Sequence, residues 1–493
     1  MKVQTFLVLG GLLASIASCA LDLDDPDGAN GADGADAGDA STNDTSVLEA
    51  VATRHSIHNR LPNHVPVVDG SGVFTTVSTQ GYIDLDNEFF QSLGRNGRRC
   101  VSCHVPTSGW TITPRELKIV FDLTRGGVRA DRLGLAAVFR TIDGANSPKA
   151  DVSTFARRRA AYSMLLHRGL IRVGLPVPAN AEFELVEVDD PYRYASAAEL
   201  SLFRRPLPIA NLKFDSTVMW DGREVVPGAT VESELLTQSS HAVEGHAEGR
   251  ALGDDQRSSL VAFQLALASA QIWDRHAGSL YAAGARGGPD EIHRQPFYIG
   301  INDNFGDSRS GAPFTPIVFT IYDPWTGARG HTSARDAIVR GQKLFNSRPI
   351  TIFGVSGIND EAAFGEPKAL VGTCTTCHDT PNGGNHSVVA PLDIGLVDAA
   401  RRTPDMPLYT LRNKATGELR QVTDPGRAMI SGKWKHIGRF KGPMLRNLAA
   451  RAPYFHNGFA ADLDEVLEFY ETRFNLGLSA DERDDLLAFL RSL

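Results

Sequence analysis

Cysteine is scarce in this chain: five in 493 residues, at positions 19, 100, 103, 374 and 377. Between residues 20 and 46 there is no lysine, arginine or aromatic side chain, so that stretch cannot build a core and reads as a solvated tether. No apolar run is long enough to span a bilayer, and no repeat of 20 to 50 residues is visible. An excess of basic charge is also missing. The net charge is −8, eight aspartates of the tether account for all of it, and the rest is nearly neutral, which gives no support for nucleic-acid binding.

The cysteines that are present are highly organised. "RRCVSCHVP" holds Cys100, Cys103 and His104, and "GTCTTCHDT" holds Cys374, Cys377 and His378. A C-x-x-C-H unit is the attachment signature of c-type haem: two thiols add across the two vinyl groups of one porphyrin, and the next residue ligates the iron. Two covalent haems are expected, with His104 and His378 as proximal ligands. A four-cysteine zinc site, two vicinal disulfides and a thioredoxin-like pair are the competing readings. The zinc site would have to join pairs 274 residues apart, and neither motif sits in a βαβ context.

Haem c is attached outside the cytoplasm, and residues 1–18 read as a lipoprotein signal peptide, with Lys2, an apolar run from Phe6 to Leu13, and Ile16-Ala17-Ser18 before Cys19. Cys19 is then the lipidated N-terminus of a membrane-anchored chain, followed by the acidic tether over 19–65. The remaining residues suit two domains, 66–330 and 331–493, each with one haem. Helices are expected over 258–273, 333–345 and 479–493, the last opened by a Ser479/Glu482 capping box. Short strands are expected within 296–325 and loops over 283–290 and 355–367. The fold class is mainly α, two cytochrome c-like domains with minor β elements.

The stretch "GRFKGPMLRNLAARAPYFHNGFAADLDEVLEFY", with "VMWDGRE", "LTQSSHAVEGHAEG" and "NGRRCVSCH", resembles the bacterial di-haem cytochrome c peroxidases and the related MauG enzymes. The resemblance covers about half of the mature chain and says little of 105–200 and 255–365. It implies a peroxidatic haem at the first motif and an electron-transfer haem at the second. Trp220 would be the bridge between them. Gln238 and Glu248, ten residues apart as in the family, would be the distal pair, with His246, His241 and Glu244 as alternatives for the proton-handling role. The sixth ligand of the second haem would be Tyr470, fourteen residues after His456; Met444 and Met429 are the alternatives.

Two departures from the family stand out. No histidine lies between His104 and His167, so the loop ligand that closes the first iron in resting peroxidases is missing. Arg205 stands where the family has a calcium-binding asparagine, which puts calcium in question. The resemblance implies an oxidoreductase that reduces hydrogen peroxide with electrons from a small cytochrome c or cupredoxin; with the signal segment and Cys19 it places the chain, anchored by lipid, on the periplasmic side of a Gram-negative envelope, at the outer membrane. A MauG-like oxidase and a non-enzymatic electron-transfer cytochrome are the alternatives.

Overall fold

The computed structural model describes residues 59–129, 134–328 and 332–493. The signal segment 1–18, Cys19 and the tether up to residue 58 lie outside the described residues, as does the 330/331 boundary. The end of the expected tether is structured: Arg60–Pro62 pairs antiparallel with Tyr82–Asp84, and the Arg60 guanidinium sits 4.0 Å from the Tyr82 ring centroid. Among the described residues no helix is long and apolar enough to cross a membrane.

The C-terminal haem motif is framed by two packed helices. In Ser333–Ser347, Thr332 caps the N-terminus by accepting from Arg335 N, and Ile338 and Phe345 turn inward. Ala480–Arg491 begins with the expected capping box, Ser479 and Glu482 exchanging hydrogen bonds, and buries Leu486, Leu487 and Leu490. Gly341 lets the two backbones meet: a Cβ there would lie 1.9 Å from the Asp485 carbonyl oxygen. Arg340 clamps the Asp485 carboxylate with two bonds of 2.7 Å. A third helix, Leu463–Phe474, is capped by Asp462 and brings Tyr470 in beside them.

Elsewhere strands do more than expected. The expected helix over 258–273 is helical only as Asp254–Leu265; Leu267–Asp274 is a strand paired with Gly72–Ser78 inside a four-stranded sheet. Burial on both faces explains the misreading, because Ala268, Ser269, Ala270 and Gln271 are all interior and no polar alternation marks the strand. Conversely, 296–325 holds no strand among the described residues. Side-chain amides take the bonds a ladder would supply: Asn346 Oδ1 accepts from Val318 N and Phe319 N, and Gln342 Oε1 from Tyr322 N. Within 283–290, expected as loop, Gly288–Arg294 begins a helix; 355–367 is turns with one short 3₁₀ segment, Ala362–Phe364.

Ten α-helices and thirteen short strands in five small sheets are described. Distant parts of the sequence are woven together: Phe183–Asp189 pairs with Leu408–Asn413, which pairs with Leu419–Val422, burying Phe183, Tyr409 and Leu411 beneath the sheet.

Candidate haem centres

The two motifs fold alike. Cys100–Ser102 and Cys374–Thr376 are each one 3₁₀ turn, and the following histidine amide bonds back to the first cysteine carbonyl, His104 N to Cys100 O at 3.0 Å and His378 N to Cys374 O at 3.2 Å. Each imidazole then ties Nδ1 to the backbone carbonyl six residues on, Trp110 O at 3.3 Å in the first motif and Gly384 O in the second. A carbonyl only accepts, so Nδ1 carries the proton and Nε2 keeps its lone pair for a metal. Burial holds both rings neutral, pulling His104 and His378 down to about 4. It pushes Cys100, Cys374 and Cys377 up to about 12 and raises Cys103, so the thiols are held protonated in apolar surroundings.

The alternatives to haem fit less well. All four cysteines are free, so neither pair is a disulfide. The two pairs pack into different apolar clusters, Cys100 with Trp110 and Val243, Cys374 with Phe345 and Leu467, and no zinc site joins them.

The second motif opens into a cavity of about 210 Å³ with almost wholly apolar walls, lined by Cys374, Cys377, His378, Tyr470, His456 and Trp220. This donor set in an oily slot fits a covalently held porphyrin. Tyr470 reaches the cavity wall between Phe455 and Phe474, and burial raises its phenol. Neither alternative methionine lines that cavity: Met444 packs with Phe214 and Ile292, Met429 with the sheet around Tyr409. His456, 1% exposed, stacks on Phe440 with ring centroids 3.8 Å apart, and both of its ring nitrogens lack a hydrogen-bond partner.

At the first motif the expected residues meet unexpected ones. The helix Val231–His246 turns Leu235 and Val243 into the cluster around Cys100; Gln238 and His246 are half-exposed beside that stripe, two turns apart. Glu248 lies past the helix end in the left-handed region (φ 54°), ion-paired with Arg140, and is therefore not on a solvated helix face. His246 Nδ1 stands 3.2 Å from Asp143 Oδ2, whose carboxylate also pairs with the buried Arg98. His241 pairs instead with Glu224 at 3.0 Å, and Glu244 is exposed. His167 is exposed on its own helix.

Val218 belongs to the apolar cluster against which both Met219 and Cys100 pack, while the next residue, Trp220, lines the second cavity. Its indole donates to Arg205 O at 2.8 Å, and Arg205 N donates to His456 O at 2.7 Å. The buried Arg205 guanidinium is held by main-chain carbonyls alone, those of Arg168, Ile112 and Arg451 at 2.8 to 3.0 Å.

Sequence reasoning missed the carbonyls of Trp110 and Gly384, the Arg140–Asp143 pair and the orphaned His456. The first has a signal that was available, an equal distance from each histidine. Arg140 and Asp143 carry none, because Glu248 and His246, the groups they hold, are 108 and 103 residues away.

Each motif thus presents a half-buried thiol pair and an oriented imidazole, the donor set that a c-type haem uses. No family model matches the chain. Cytochrome-c peroxidase IdrP1 of Pseudomonas sp. (strain SCT) is 30% identical over 140 residues, 24% of this chain and 36% of its own length. Cytochrome-c peroxidase IdrP2 of Denitromonas iodatirespirans is 31% identical over 132 residues, 25% of this chain and 36% of its own. Cytochrome c peroxidase Ccp of Escherichia coli (strain K12) is 36% identical over 89 residues, 18% of this chain and 19% of its own. The chain spans about a third of the length of the first two relatives. A solved MauG-like protein associated with microbial copper homeostasis shares 16% identity at a TM-score of 0.32, with 61% of this chain and 77% of that one covered. Over about a quarter of its length the chain is similar to bacterial cytochrome-c peroxidases.

Proposed function

We propose that the chain is a di-haem c-type peroxidase, with haem attached at Cys100 and Cys103 over His104 within 66–330, and at Cys374 and Cys377 over His378 within 331–493. When bound, the haems supply one iron at which hydrogen peroxide is reduced to two waters and one that passes on the two electrons required. The observation that carries the reading is the placement of residues 218 to 220, with Met219 against the Cys100 cluster and Trp220 on the wall of the second cavity. Trp220 is the bridge between the two centres. Tyr470, on the wall of the same cavity as His378, would supply a sixth ligand to the second haem, and Arg205 would take the place of calcium. Glu248, with Gln238 and His246, handles the proton that must leave one peroxide oxygen and join the other.

Electrons come from a small donor protein, a cytochrome c or a cupredoxin. The chain is held by lipid at Cys19 on the periplasmic side of the envelope, at the outer membrane. Tyr470 also favours a second reading, a MauG-like oxidase that draws electrons from a protein or organic substrate, because an oxygen ligand stabilises the oxidised iron where a thioether favours the reduced one.

The test is to mix ferric protein with hydrogen peroxide in a stopped-flow spectrometer, with and without a reduced cytochrome. Because residues 105 to 166 hold no histidine to close the first iron, the haem spectrum should change at once without prior reduction. The reduced cytochrome should then be oxidised. No spectral change, with both haems low-spin, would leave a pure electron-transfer protein. A spectral change that the cytochrome does not discharge would favour the oxidase.

A further inference from the structure

The segment 134–143 lies in a stretch of which the family resemblance says little, yet it is bound tightly to the first haem motif. Ser102 Oγ donates to Gly134 O at 2.7 Å. Arg98, two residues before Cys100, donates from Nε to Ala137 O at 2.9 Å and from Nη2 to Val138 O at 3.0 Å. On the other side Asn96 Nδ2 donates to His246 O at 2.8 Å, and Gly94 bridges Gly249. Three stretches distant in sequence, 94–103, 134–143 and 246–249, are therefore locked to one another.

Their charged side chains form one chain of contacts. Arg98 and His246 both reach Asp143 Oδ2, Arg140 Nε stands 3.7 Å from Asp143 Oδ1, and the far end of Arg140 pairs with Glu248. Asp143 is nearly buried and Arg98 more so, whereas 44% of the His246 side chain and 33% of the Glu248 side chain remain accessible. The network is anchored inside and presents its two proton-handling groups outward.

We propose that Asp143 and Arg140 are positioning residues for the first haem centre, Asp143 fixing the tautomer of His246 and Arg140 fixing the carboxylate of Glu248. A carboxylate accepts only, so the His246 Nδ1 beside it carries the proton and Nε2 is left as the free base. This is the logic by which a buried aspartate orients a catalytic imidazole. The proton of an incoming acid ligand goes to Nε2, and Arg140 holds Glu248 as the second group that can share or return that proton. The peroxide reading above supplies the physiological substrate; the orientation itself serves any ligand that must lose a proton to bind.

Hydrogen cyanide is such a ligand, so its association with the ferric, haem-loaded protein is the probe. Asp143→Asn should slow cyanide association about 10- to 100-fold, the usual effect of losing an orienting partner, with haem content and the second haem's spectrum unchanged. In a His246→Ala background the same substitution should add nothing, because Asp143 acts through His246. Asp143→Asn leaves Arg98 without its carboxylate and risks the fold, so Arg140→Gln is the second variant: it should slow association in the wild type and not in Glu248→Gln. Wild-type rates in both variants, or equal slowing with and without His246 and Glu248, would overturn the proposal. Cyanide effects as expected in a protein inert to peroxide would refute the peroxidase reading and leave the positioning intact. A wild-type protein that binds no cyanide at all would overturn both.

Discussion

His456 and Tyr470 both line the second cavity, and single substitutions at each have separable consequences. Burial pushes His456 down to about 3, Asp424 opposing and Arg204 adding to the shift. An unfolded histidine titrates near ~6.5. Between about pH 6.5 and 3 the unfolded chain therefore binds a proton that the folded chain refuses, and acidification through that window destabilises the fold. His456→Phe removes that proton. Relative to wild type the variant should gain up to about 1.4 kcal/mol per pH unit below 6, read from denaturant midpoints at pH 7 and pH 4.5; parallel pH profiles would contradict it. For Tyr470, replacement by Phe should shift the spectrum and potential of one haem only. An unchanged spectrum, together with a change on Met444→Ala, would return the sixth ligand to a thioether. At this scale the sequence was informative wherever chemistry is written in adjacent residues. C-x-x-C-H needs five neighbours in a row, while the partners of His246 and Glu248 come from 103 and 108 residues away and leave no local mark.

Elements were legible where caps and periodicity agree. Ser479 with Glu482 announces the last helix, and the structure starts it at Ala480. The misreadings share one cause, tertiary context replacing local pattern: Leu267–Asp274 is buried on both faces, and 318–322 takes its hydrogen bonds from side-chain amides. Context also reverses a propensity. Alanine in place of a mid-helix glycine ordinarily gains about 1 kcal/mol. At Gly341 the added Cβ would collide with the Asp485 carbonyl, and a backbone cannot swing aside as a side chain can. Gly341→Ala should therefore cost about 1–3 kcal/mol, the range for overpacking a tight interface. Because Leu486, Leu490 and Phe345 from these two helices line the second cavity, it should broaden the second haem's spectrum as well. Thermal unfolding of the variant checks the cost, and an unchanged or raised midpoint would show that the helices part easily.

Across the whole molecule, the expected division into an N-terminal and a C-terminal haem unit meets a chain whose halves share a sheet and several apolar clusters. Phe183–Asp189 lies on Leu408–Asn413, and Val77 and Phe214 pack with Met444. Such long-range pairings could not be read from local pattern, whereas the number of haem motifs could. Everything proposed for the chain depends on that number: the tryptophan between two centres, the tyrosine at one and the charged network at the other all presuppose two covalent porphyrins. The direct measurement is the mass of the mature, denatured polypeptide, taken together with its iron content. The account predicts a chain heavier by two haems, with two irons and no zinc, whose colour survives acid-acetone extraction. A chain carrying one haem, or none with zinc in its place, would contradict it.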